Sequence, residues 1–430
     1  MFKSKKFYLI PVVGILAIIL VGAILLSLPI CTKEKVDFLD ALFLSVSGIC
    51  VNGYSLIDIL TNFNFLGQFV LAAIVQLGAL GIMLIFSMLL HAHNKKMQFS
   101  EKVVLGDILN SDDYSDIRNY MRKILKYTFT IEGICAVFFA IRFVPLLGFI
   151  KGVWYSIFHS VTAFCNAGFS LFGPDSLVYF RYDNYINVLA IIEMFLGGIG
   201  FFVIDDIIKC IKMRNLKKLK INSKIVLYSS LICVVIANIL LHILQPKLTI
   251  LEGAFAIGTL RTAGFFTMDM NKFTSSAKIL FMIVMFIGGA PGSTSGGVRI
   301  TSIALFFAST KAILKGEREI VIGTNRVDHE IVRRAIAIIT LATVVIFIGV
   351  IMFAKFNDNG LETNILHTLS SFTATGLNFV APENLNLAGK WITMALMLIG
   401  RMGPISLSAL FIIGKKKNSE YQFPVGNVII

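Results

Sequence analysis

The sequence predicts an all-α integral membrane protein built from four repeats, with eight transmembrane helices around a central axis. Three observations lead to this fold class: the composition, eight long apolar segments and four copies of one glycine-containing pattern. Hydrophobic residues make up 56% of the 430 residues and charged residues only 15%. Because soluble domains carry about 25% charged residues, this composition excludes a water-soluble protein of this size, a secreted disulfide scaffold, a nucleic-acid-binding protein and a disordered chain.

Eight segments are long and apolar enough to cross a bilayer, which takes about 20 residues of helix. They are 8–30, 66–90, 127–149, 185–208, 223–245, 277–310, 335–354 and 390–413. Taken in chain order, the eight segments form four consecutive pairs. A shorter, semi-polar stretch lies between the two members of each pair. These stretches are 37–52, 151–167, 250–263 and 361–375. Since they are too short to span and each runs into a glycine, they predict re-entrant half-helices followed by non-helical backbone.

Basic residues indicate the orientation. Of the 39 Lys and Arg residues, 26 lie in five stretches that fall on one side of the membrane if the eight spans alternate. The five stretches are 1–7, 91–126, 209–224, 311–334 and 415–417. Because Lys and Arg concentrate in cytoplasmic loops, we expect a multi-pass protein with both termini in the cytoplasm. The net charge of +14 then reflects these loops and not an acidic partner.

The semi-polar stretches are copies of one pattern, and a second glycine cluster follows each copy. Written to the shared glycine, the copies are SVSGICVNG (45–53), SVTAFCNAG (160–168), AIGTLRTAG (256–264) and TLSSFTATG (368–376). The second clusters are QLGALG (76–81), FLGGIG (195–200), FIGGAPG (286–292) and LIGRMG (398–403). Internal repetition in a fixed order predicts repeated structural units. We expect repeats at 1–94, 95–214, 215–315 and 316–414, followed by a tail at 415–430.

Four such repeats closing around one axis would bring their glycine turns to the middle of the membrane. Backbone at that depth must line a cavity or be buried in protein. Rings of backbone carbonyls can replace the hydration shell of a cation, and glycine allows the positive φ angles that such turns require. The alternative is that these glycines are close-packing contacts between membrane helices. The repeated context favours an ion filter around a pseudo-fourfold pore.

With these motifs, the chain resembles the Trk/Ktr/HKT superfamily of potassium transporters, and most of all its KtrB-type membrane subunits, over essentially its whole length. The resemblance implies M1–pore helix–M2 repeats and a potassium filter in which the four shared glycines are central. The first loop reads CVNG where the family pattern is CVTG. The filter residues implied are Cys50, Val51, Asn52, Gly53, Cys165, Asn166, Ala167, Gly168, Thr262, Ala263, Gly264, Ala374, Thr375 and Gly376.

The third repeat carries GGAPGSTSGG (288–297) inside an apolar run. Five glycines and a proline make a continuous helix implausible there. The resemblance implies an intramembrane gate loop below the filter, and a packing kink is the alternative. A phosphate-binding P-loop is disfavoured because no GK[ST] follows. The gate-loop residues implied are Gly288, Gly289, Gly292, Ser293, Thr294, Ser295, Gly296 and Gly297.

Several charged residues need a role. A charge within the last span, at Arg401, is costly and indicates function, and the resemblance implies a basic pore residue there, just under the filter. Arg299 is either a second pore charge or an anchor. Glu132 and Glu193 lie within spans, where they either pair with a buried polar group or form a proton path. Four acidic residues that follow the turns could form a cation-concentrating vestibule: Asp58, Asp175, Asp269 and Glu383.

The resemblance also implies the function and the partners. We expect potassium uptake across the cytoplasmic membrane, with K⁺ as the transported ion, Na⁺ as an optional symported ion and no covalently bound cofactor. The expected partners are the lipid bilayer, a second copy in a homodimer contacted by the tail, and a cytosolic nucleotide-binding RCK ring on the basic loops. Nucleic acid is not an expected partner. The alternatives are a sodium-coupled or sodium-permeable transporter of the same fold and a polytopic membrane enzyme, which the lack of a catalytic cluster disfavours.

Overall fold

In the computed structural model, which describes residues 2–92, 117–317, 319–323 and 325–403, one order of elements recurs four times. A first helix is followed by a half-helix, a turn and a second helix. The first helices are Phe2–Ser27, Ile117–Leu147, Ile221–Leu244 and His329–Phe356. The half-helices are Phe38–Cys50, Phe149–Phe164, Ile250–Leu260 and Leu361–Thr373. The second helices are Phe65–Ala92, Asn184–Gly198 with Phe201–Lys212, Ser275–Phe286 with Ile300–Leu314, and Leu387–Met402.

The connections carry short elements. The helical ones are Ile59–Asn62, Val178–Phe180, Leu216–Lys218, Met270–Lys272 and Pro382–Asn384. Strands Ile320–Ile322 and Asn325–Val327 pair antiparallel, with Ile320 opposite Val327, in the loop between repeats 3 and 4. Both of these residues are buried against the helices on either side of the hairpin, so the connection is packed onto the body of the molecule.

Within the part of the chain that the structure describes, three helices are long and apolar enough to cross a membrane: Met121–Leu147, Ile221–Leu244 and His329–Phe356. The two bent parts of the second helix of repeat 2 would make a fourth span. Their outward faces expose large apolar side chains such as Ile243 and Ile351, as expected of surfaces that contact lipid. The count of eight spans and the repeat boundaries stay predictions, and the tail 415–430 lies outside the described residues.

The prediction of one continuous span over 185–208 is wrong. The chain bends by 100° between Gly198 and Phe201, where Gly200 has a φ of +89° that an α-helix does not contain. The N–H of Phe201 donates to the carbonyl of Gly292 at 3.0 Å. The bend therefore follows from a glycine that can take positive φ and from a backbone partner in repeat 3.

The interruption predicted within 277–310 is present. The second helix of repeat 3 ends at Phe286 and resumes at Ile300, and positive φ angles at Gly292 (+68°) and Gly297 (+74°) are incompatible with a continuous helix. The intervening segment crosses back on itself, since the N–H of Gly288 donates to the carbonyl of Val298 at 2.9 Å.

The core lies between the half-helices and the second helices. Each half-helix buries a large apolar side chain about ten residues before its turn glycine, with at most 1% of the side chain exposed. These side chains are Phe43, Phe158, Phe255 and Leu366. Burial of this size fixes the half-helices in place, so that their C-terminal ends and the turns that follow meet at the centre.

Candidate functional site

The structure brings the four glycine turns together. We call them turn 1 to turn 4, after Gly53, Gly168, Gly264 and Gly376. A Cβ atom added to any of these glycines would press on the backbone of a neighbouring turn. The contacts follow ring order: Gly53 meets Ala167, Gly168 meets Gly264, Gly264 meets Thr375, and Gly376 meets Asn52. The four turns therefore surround one axis, and no side chain would fit at the glycine positions.

The carbonyl oxygens just before the glycines lie at the contacts between neighbouring turns. The atoms that an added Cβ would meet include the carbonyl oxygens of Asn52, Ala167, Ala263 and Thr375. In every turn the glycine and the residue two positions before it have positive φ, between +55° and +98°. These non-glycine residues are Val51, Asn166, Thr262 and Ala374. Non-glycine residues rarely adopt such angles without strain, so the surrounding structure holds this backbone shape in place.

Hydroxyl groups of the half-helices hold the turns. The hydroxyl of Thr162 donates to the carbonyl of Phe169 at 3.1 Å, and that of Ser370 donates to the carbonyl of Leu377 at 3.2 Å. Thr259 makes the corresponding bond in repeat 3. In each case the half-helix binds the residue immediately after the glycine, so the turn is fixed on both sides of its strained segment.

Glycines of the second helices make the close approach possible. An added Cβ at Gly78, Gly197 or Gly400 would collide with a half-helix carbonyl four residues before the turn glycine. These carbonyls belong to Ile49, Phe164 and Phe372. Close packing, the alternative interpretation of the turn glycines, is thus the role of the second glycine clusters in repeats 1, 2 and 4. Gly288 of repeat 3 instead packs against Gly296 within its own broken helix.

The segment 288–297 lies directly against turn 4 and the second helix of repeat 2. A Cβ at Gly296 would lie 2.7 Å from the Cβ of Ala374 and 2.7 Å from the carbonyl oxygen of Thr373. The N–H of Ala290 donates to the carbonyl of Gly198 at 3.0 Å. We call this segment the loop 288–297. Its backbone hydrogen bonds go partly to repeat 3 itself and partly to repeat 2, where the N–H of Thr294 also donates to the carbonyl of Gly197 at 3.3 Å.

The polar side chains of the loop 288–297 are buried: Ser293, Thr294 and Ser295. The hydroxyl of Thr294 and the amide of Asn166 are hydrogen-bonded at 2.8 Å, and the same hydroxyl donates to the carbonyl of Phe164 at 3.2 Å. Ser293 donates to the carbonyl of Ala290 at 2.7 Å. The buried hydroxyl of Ser295 has no partner within the described part of the chain. Thr294 therefore ties the loop to turn 2.

Two arginines hold the loop 288–297 through backbone carbonyls. The guanidinium of Arg401 donates to the carbonyls of Thr294 and Gly78, each at 2.5 Å. Arg299 donates to the carbonyl of Ser295 at 2.7 Å and to that of Ala290 at 3.3 Å. Among residues 2–92, 117–317, 319–323 and 325–403, neither guanidinium pairs with a carboxylate. Arg299 is thus an anchor of the loop in this structure, whereas Arg401 links the loop to repeat 1.

Comparison with known proteins identifies the family of this chain. Residues 7–421 match the family model of TrkH, described as a cation transport protein. The chain belongs to the TrkH family. It is 31% identical to the potassium/sodium uptake protein NtpJ of Enterococcus hirae, over 97% of this chain and 95% of that protein. It is 30% identical to the Ktr system potassium uptake protein B of Bacillus subtilis, with the same two coverages.

A solved structure has the same fold. The potassium transporter TrkH from Vibrio parahaemolyticus superposes with a TM-score of 0.71, covering 92% of this chain and 84% of that one, at 18% identity. This TrkH-family chain is therefore a membrane protein with a known helical architecture.

Two predicted site residues have roles that the sequence alone did not indicate. The side-chain amide of Asn52 donates to the carbonyls of Ser370 and Ser371, at 3.3 and 3.0 Å, and so binds turn 1 to half-helix 4. The Sγ of Cys165 lies 3.4 Å from Oε1 of Gln76, a residue of the neighbouring repeat. In this TrkH-family chain, side chains next to the turn glycines thus connect neighbouring repeats.

Sequence reasoning missed an aromatic bridge between repeats 1 and 4. Tyr54, immediately after Gly53, stacks on His367 with ring centroids 5.1 Å apart. Nε2 of His367 is hydrogen-bonded to the hydroxyl of Thr393 at 3.0 Å. The only signal was a bulky residue next to the turn glycine, which does not by itself identify a partner more than 300 residues away.

Two of the acidic residues that follow the turns act as helix caps. The carboxylate of Asp58 accepts hydrogen bonds from the N–H groups of Leu60 and Thr61, and Asp269 accepts one from the N–H of Asn271. Asp175 begins the Val178–Phe180 turn through its carbonyl, and the side chain of Glu383 lies outside the described part. Capping accounts for Asp58 and Asp269 without any vestibule role.

At the N-terminal end of half-helix 4, Glu362 carries an unpredicted ion pair. Hydrogen bonds from Lys278 and Ser275 lower the pKa of Glu362, and Nζ of Lys278 lies 2.9 Å from the carboxylate. The pair joins repeats 3 and 4 at the surface. No cluster of three His, Cys, Asp or Glu side chains that could hold a metal ion occurs in the described ranges.

Proposed function

We propose that this protein takes up potassium ions across the cytoplasmic membrane through a filter made of backbone carbonyls. The observation that supports the proposal is the convergence of four turns on one axis, with the carbonyl oxygens of Asn52, Ala167, Ala263 and Thr375 at the contacts between neighbouring turns. Family membership supports cation transport, and the relatives from Enterococcus hirae and Bacillus subtilis are named as potassium uptake proteins. The chain acts as a transporter and not as an enzyme.

The filter works by substitution of ligands. An entering K⁺ exchanges water for the carbonyl oxygens of the four turns, which the positive-φ residues hold in position. The half-helices end at the turns, so the partial negative charge of their C-termini also favours a cation there. No charged side chain is required at the axis, in keeping with the small and neutral residues found in the turns.

The loop 288–297 is the gate in this proposal. It lies against turn 4, and it is held by the Asn166 amide, by the guanidinium groups of Arg401 and Arg299 and by the backbone of Gly198. Opening would break these contacts, and the fixed charge of Arg401 adds an electrostatic barrier to cations. A loop with many glycines can move between two such arrangements without breaking a helix.

The driving force is the electrochemical gradient, to which a negative-inside potential contributes about 2.3 kcal/mol per charge per 100 mV. A second candidate is a transporter of the same fold that also carries Na⁺, either coupled or in parallel. The name of the Enterococcus hirae relative, a potassium/sodium uptake protein, favours keeping this candidate.

The assembly proposed is a homodimer with cytoplasmic termini, regulated by a cytosolic RCK ring that binds nucleotide. The Bacillus subtilis relative is named as one protein of a Ktr system, which supports the presence of further subunits. The basic segment 209–224 exposes Lys212, Arg214 and Lys217, and it offers a docking surface for such a ring.

The test is growth of a potassium-uptake-deficient bacterium at low potassium. The parent chain should rescue growth, and Gly→Ser variants at 53, 168, 264 and 376 should lose the preference for K⁺ over Na⁺, since each added Cβ meets neighbouring backbone. The matched control is Gly133→Ser, because a Cβ there meets nothing within 4 Å. Full rescue with unchanged selectivity in all four variants would remove the filter assignment.

A further inference from the structure

A deep apolar groove opens on the surface of repeat 3. Its volume is about 1200 Å³, and it lies between the first helix of the repeat and the two halves of the broken second helix. Ile287 and Ile300, the residues that flank the break, both line it. The groove therefore passes both ends of the loop 288–297, where the two halves of the broken helix stop and resume.

The walls suit a hydrocarbon chain. Ile232 from the first helix and Ile283 and Phe307 from the second are more than half exposed. The small residues Ala304 and Ala308 leave room along the floor. In a bilayer such a space is filled by acyl chains at no hydrophobic cost, because lipid tails are as apolar as these side chains. The walls alone therefore do not select one lipid over another.

Selectivity for one lipid headgroup over another depends on charged residues at one end of the groove. Lys220 and Lys224 are the charged residues of its lining, and neither forms an ion pair with a carboxylate of the residues described. Nζ of Lys224 makes only a long hydrogen bond, 3.4 Å, to the carbonyl of Lys217. Basic pockets between membrane helices at the membrane surface attract anionic lipid headgroups.

We propose that this groove binds an anionic phospholipid of the surrounding bilayer. Its phosphate group lies at Lys220 and Lys224, and one acyl chain runs along the groove past Ile287 and Ile300. A bound chain supports both ends of the broken helix and so stabilises the loop 288–297 in its present position. The binding is independent of ion conduction, whereas this last consequence rests on the proposed gate function.

A second copy of the chain fits the groove less well. Twofold dimers pair one surface patch with itself, which would bring four lysines into one interface, and the groove lining holds no carboxylate to offset their charge. A phospholipid with an anionic headgroup instead supplies the opposite charge and a chain of matching polarity. Charge complementarity therefore favours lipid as the occupant.

Quenching by brominated lipids tests the binding. The reporter is Tyr228→Trp, since Tyr228 lines the groove and is 65% exposed, and the signal of the two native tryptophans is subtracted with the parent chain. In nanodiscs, brominated phosphatidylglycerol should reach half-maximal quenching at a mole fraction on the order of tenfold lower than brominated phosphatidylcholine. Lys220→Gln with Lys224→Gln should abolish this preference. The matched control, Lys217→Gln with Lys218→Gln, should keep it.

Equal quenching by the two lipids would overturn the proposal. So would a reporter that neither lipid reaches, which is the result expected if a second copy covers the groove. Because quenching needs no transport, a chain that fails to conduct potassium but prefers phosphatidylglycerol would contradict the proposed function and leave the site standing. In proteoliposomes, phosphatidylglycerol should lower basal potassium flux severalfold in the parent and not in the double lysine variant; an equal response in both would remove the link to the gate.

Discussion

Half-helices 1 and 2 are supported from behind in two chemically different ways. In repeat 1 the hydroxyl of Ser45 donates to the backbone carbonyl of Ile19 at 2.8 Å, and Ile74 of the second helix packs beside it. In repeat 2 the corresponding hydroxyl, Ser160, lies 2.8 Å from the carbonyl of Glu132 and 2.5 Å from the carboxylate of Glu193. One repeat is held by aliphatic packing and the other by buried carboxylates.

The glycine register shows that repeat 2 is the exception. Ile74 and Glu193 each lie four residues before the glycine that packs against the half-helix. Repeat 4 has the aliphatic residue Leu396 at the same position, and in repeat 3 Val284 lies four residues before Gly288. In repeat 4 the side chain of Leu396 packs beside Gly349, as Ile74 packs beside Gly22 in repeat 1. Aliphatic packing is thus sufficient to support a half-helix.

The carboxylates of repeat 2 must therefore do something more than support. Burying a carboxylate is costly, and Oε2 of the fully buried Glu193 has no partner within the described ranges. Oε1 of Glu132 lies 3.8 Å from Sγ of Cys165, next to turn 2. We infer that a polar network positions turn 2, whereas packing alone positions turn 1.

The strongest test of this difference moves a carboxylate into repeat 1. Ile74→Glu would bury a charge among aliphatic side chains, beside a Ser45 hydroxyl already bound to Ile19. We expect the free energy of unfolding in detergent, measured by denaturant titration, to fall by about 3 kcal/mol or more. Ile74→Leu is the control and should cost less than about 1.5 kcal/mol. An Ile74→Glu chain as stable as its parent would mean that a carboxylate is tolerated equally well behind half-helix 1 and half-helix 2.

The second test compares the two serines directly. Ser160→Ala removes the hydroxyl that donates to Oε1 of Glu193, so a buried carboxylate loses a hydrogen bond at a cost of about 2–3 kcal/mol. Ser45→Ala removes one hydrogen bond to a helix carbonyl and should cost about 1 kcal/mol. The same denaturant titration measures both. Equal losses would show that Ser160 and the carboxylate do not depend on each other.

The sequence predicted those features that depend on local chemistry. Half-length segments ending in glycine predict half-helices and turns, because too few residues are present to span and only glycine takes positive φ freely. GGAPGSTSGG likewise predicts a broken helix from the propensities of Gly and Pro alone. In each case the residues that determine the structure are neighbours along the chain.

Features that depend on distant partners could not be predicted. QLGALG (76–81) lies in an unbroken helix, whereas FLGGIG (195–200) contains a bend of 100°. The difference depends on a distant partner, since the N–H of Phe201 donates to the carbonyl of Gly292 in repeat 3. Arg299 was left open between pore charge and anchor until its carbonyl partners were seen. The amide of Asn52 faces half-helix 4 rather than the axis, which no local pattern indicates.

The smallest expected change in stability, and the most informative about function, comes from making repeat 2 resemble repeat 1. Glu193→Leu removes a costly buried carboxylate and leaves the bond from Ser160 to the carbonyl of Glu132, so the free energy of unfolding should rise by about 1 kcal/mol. If the polar network positions turn 2, potassium uptake should at the same time lose part of its preference over sodium, measured by competing flux in proteoliposomes. Glu193→Gln, which keeps an oxygen for Ser160, should retain that preference. A Glu193→Leu chain that is more stable and equally selective would show that turn 2, like turn 1, needs only packing behind it.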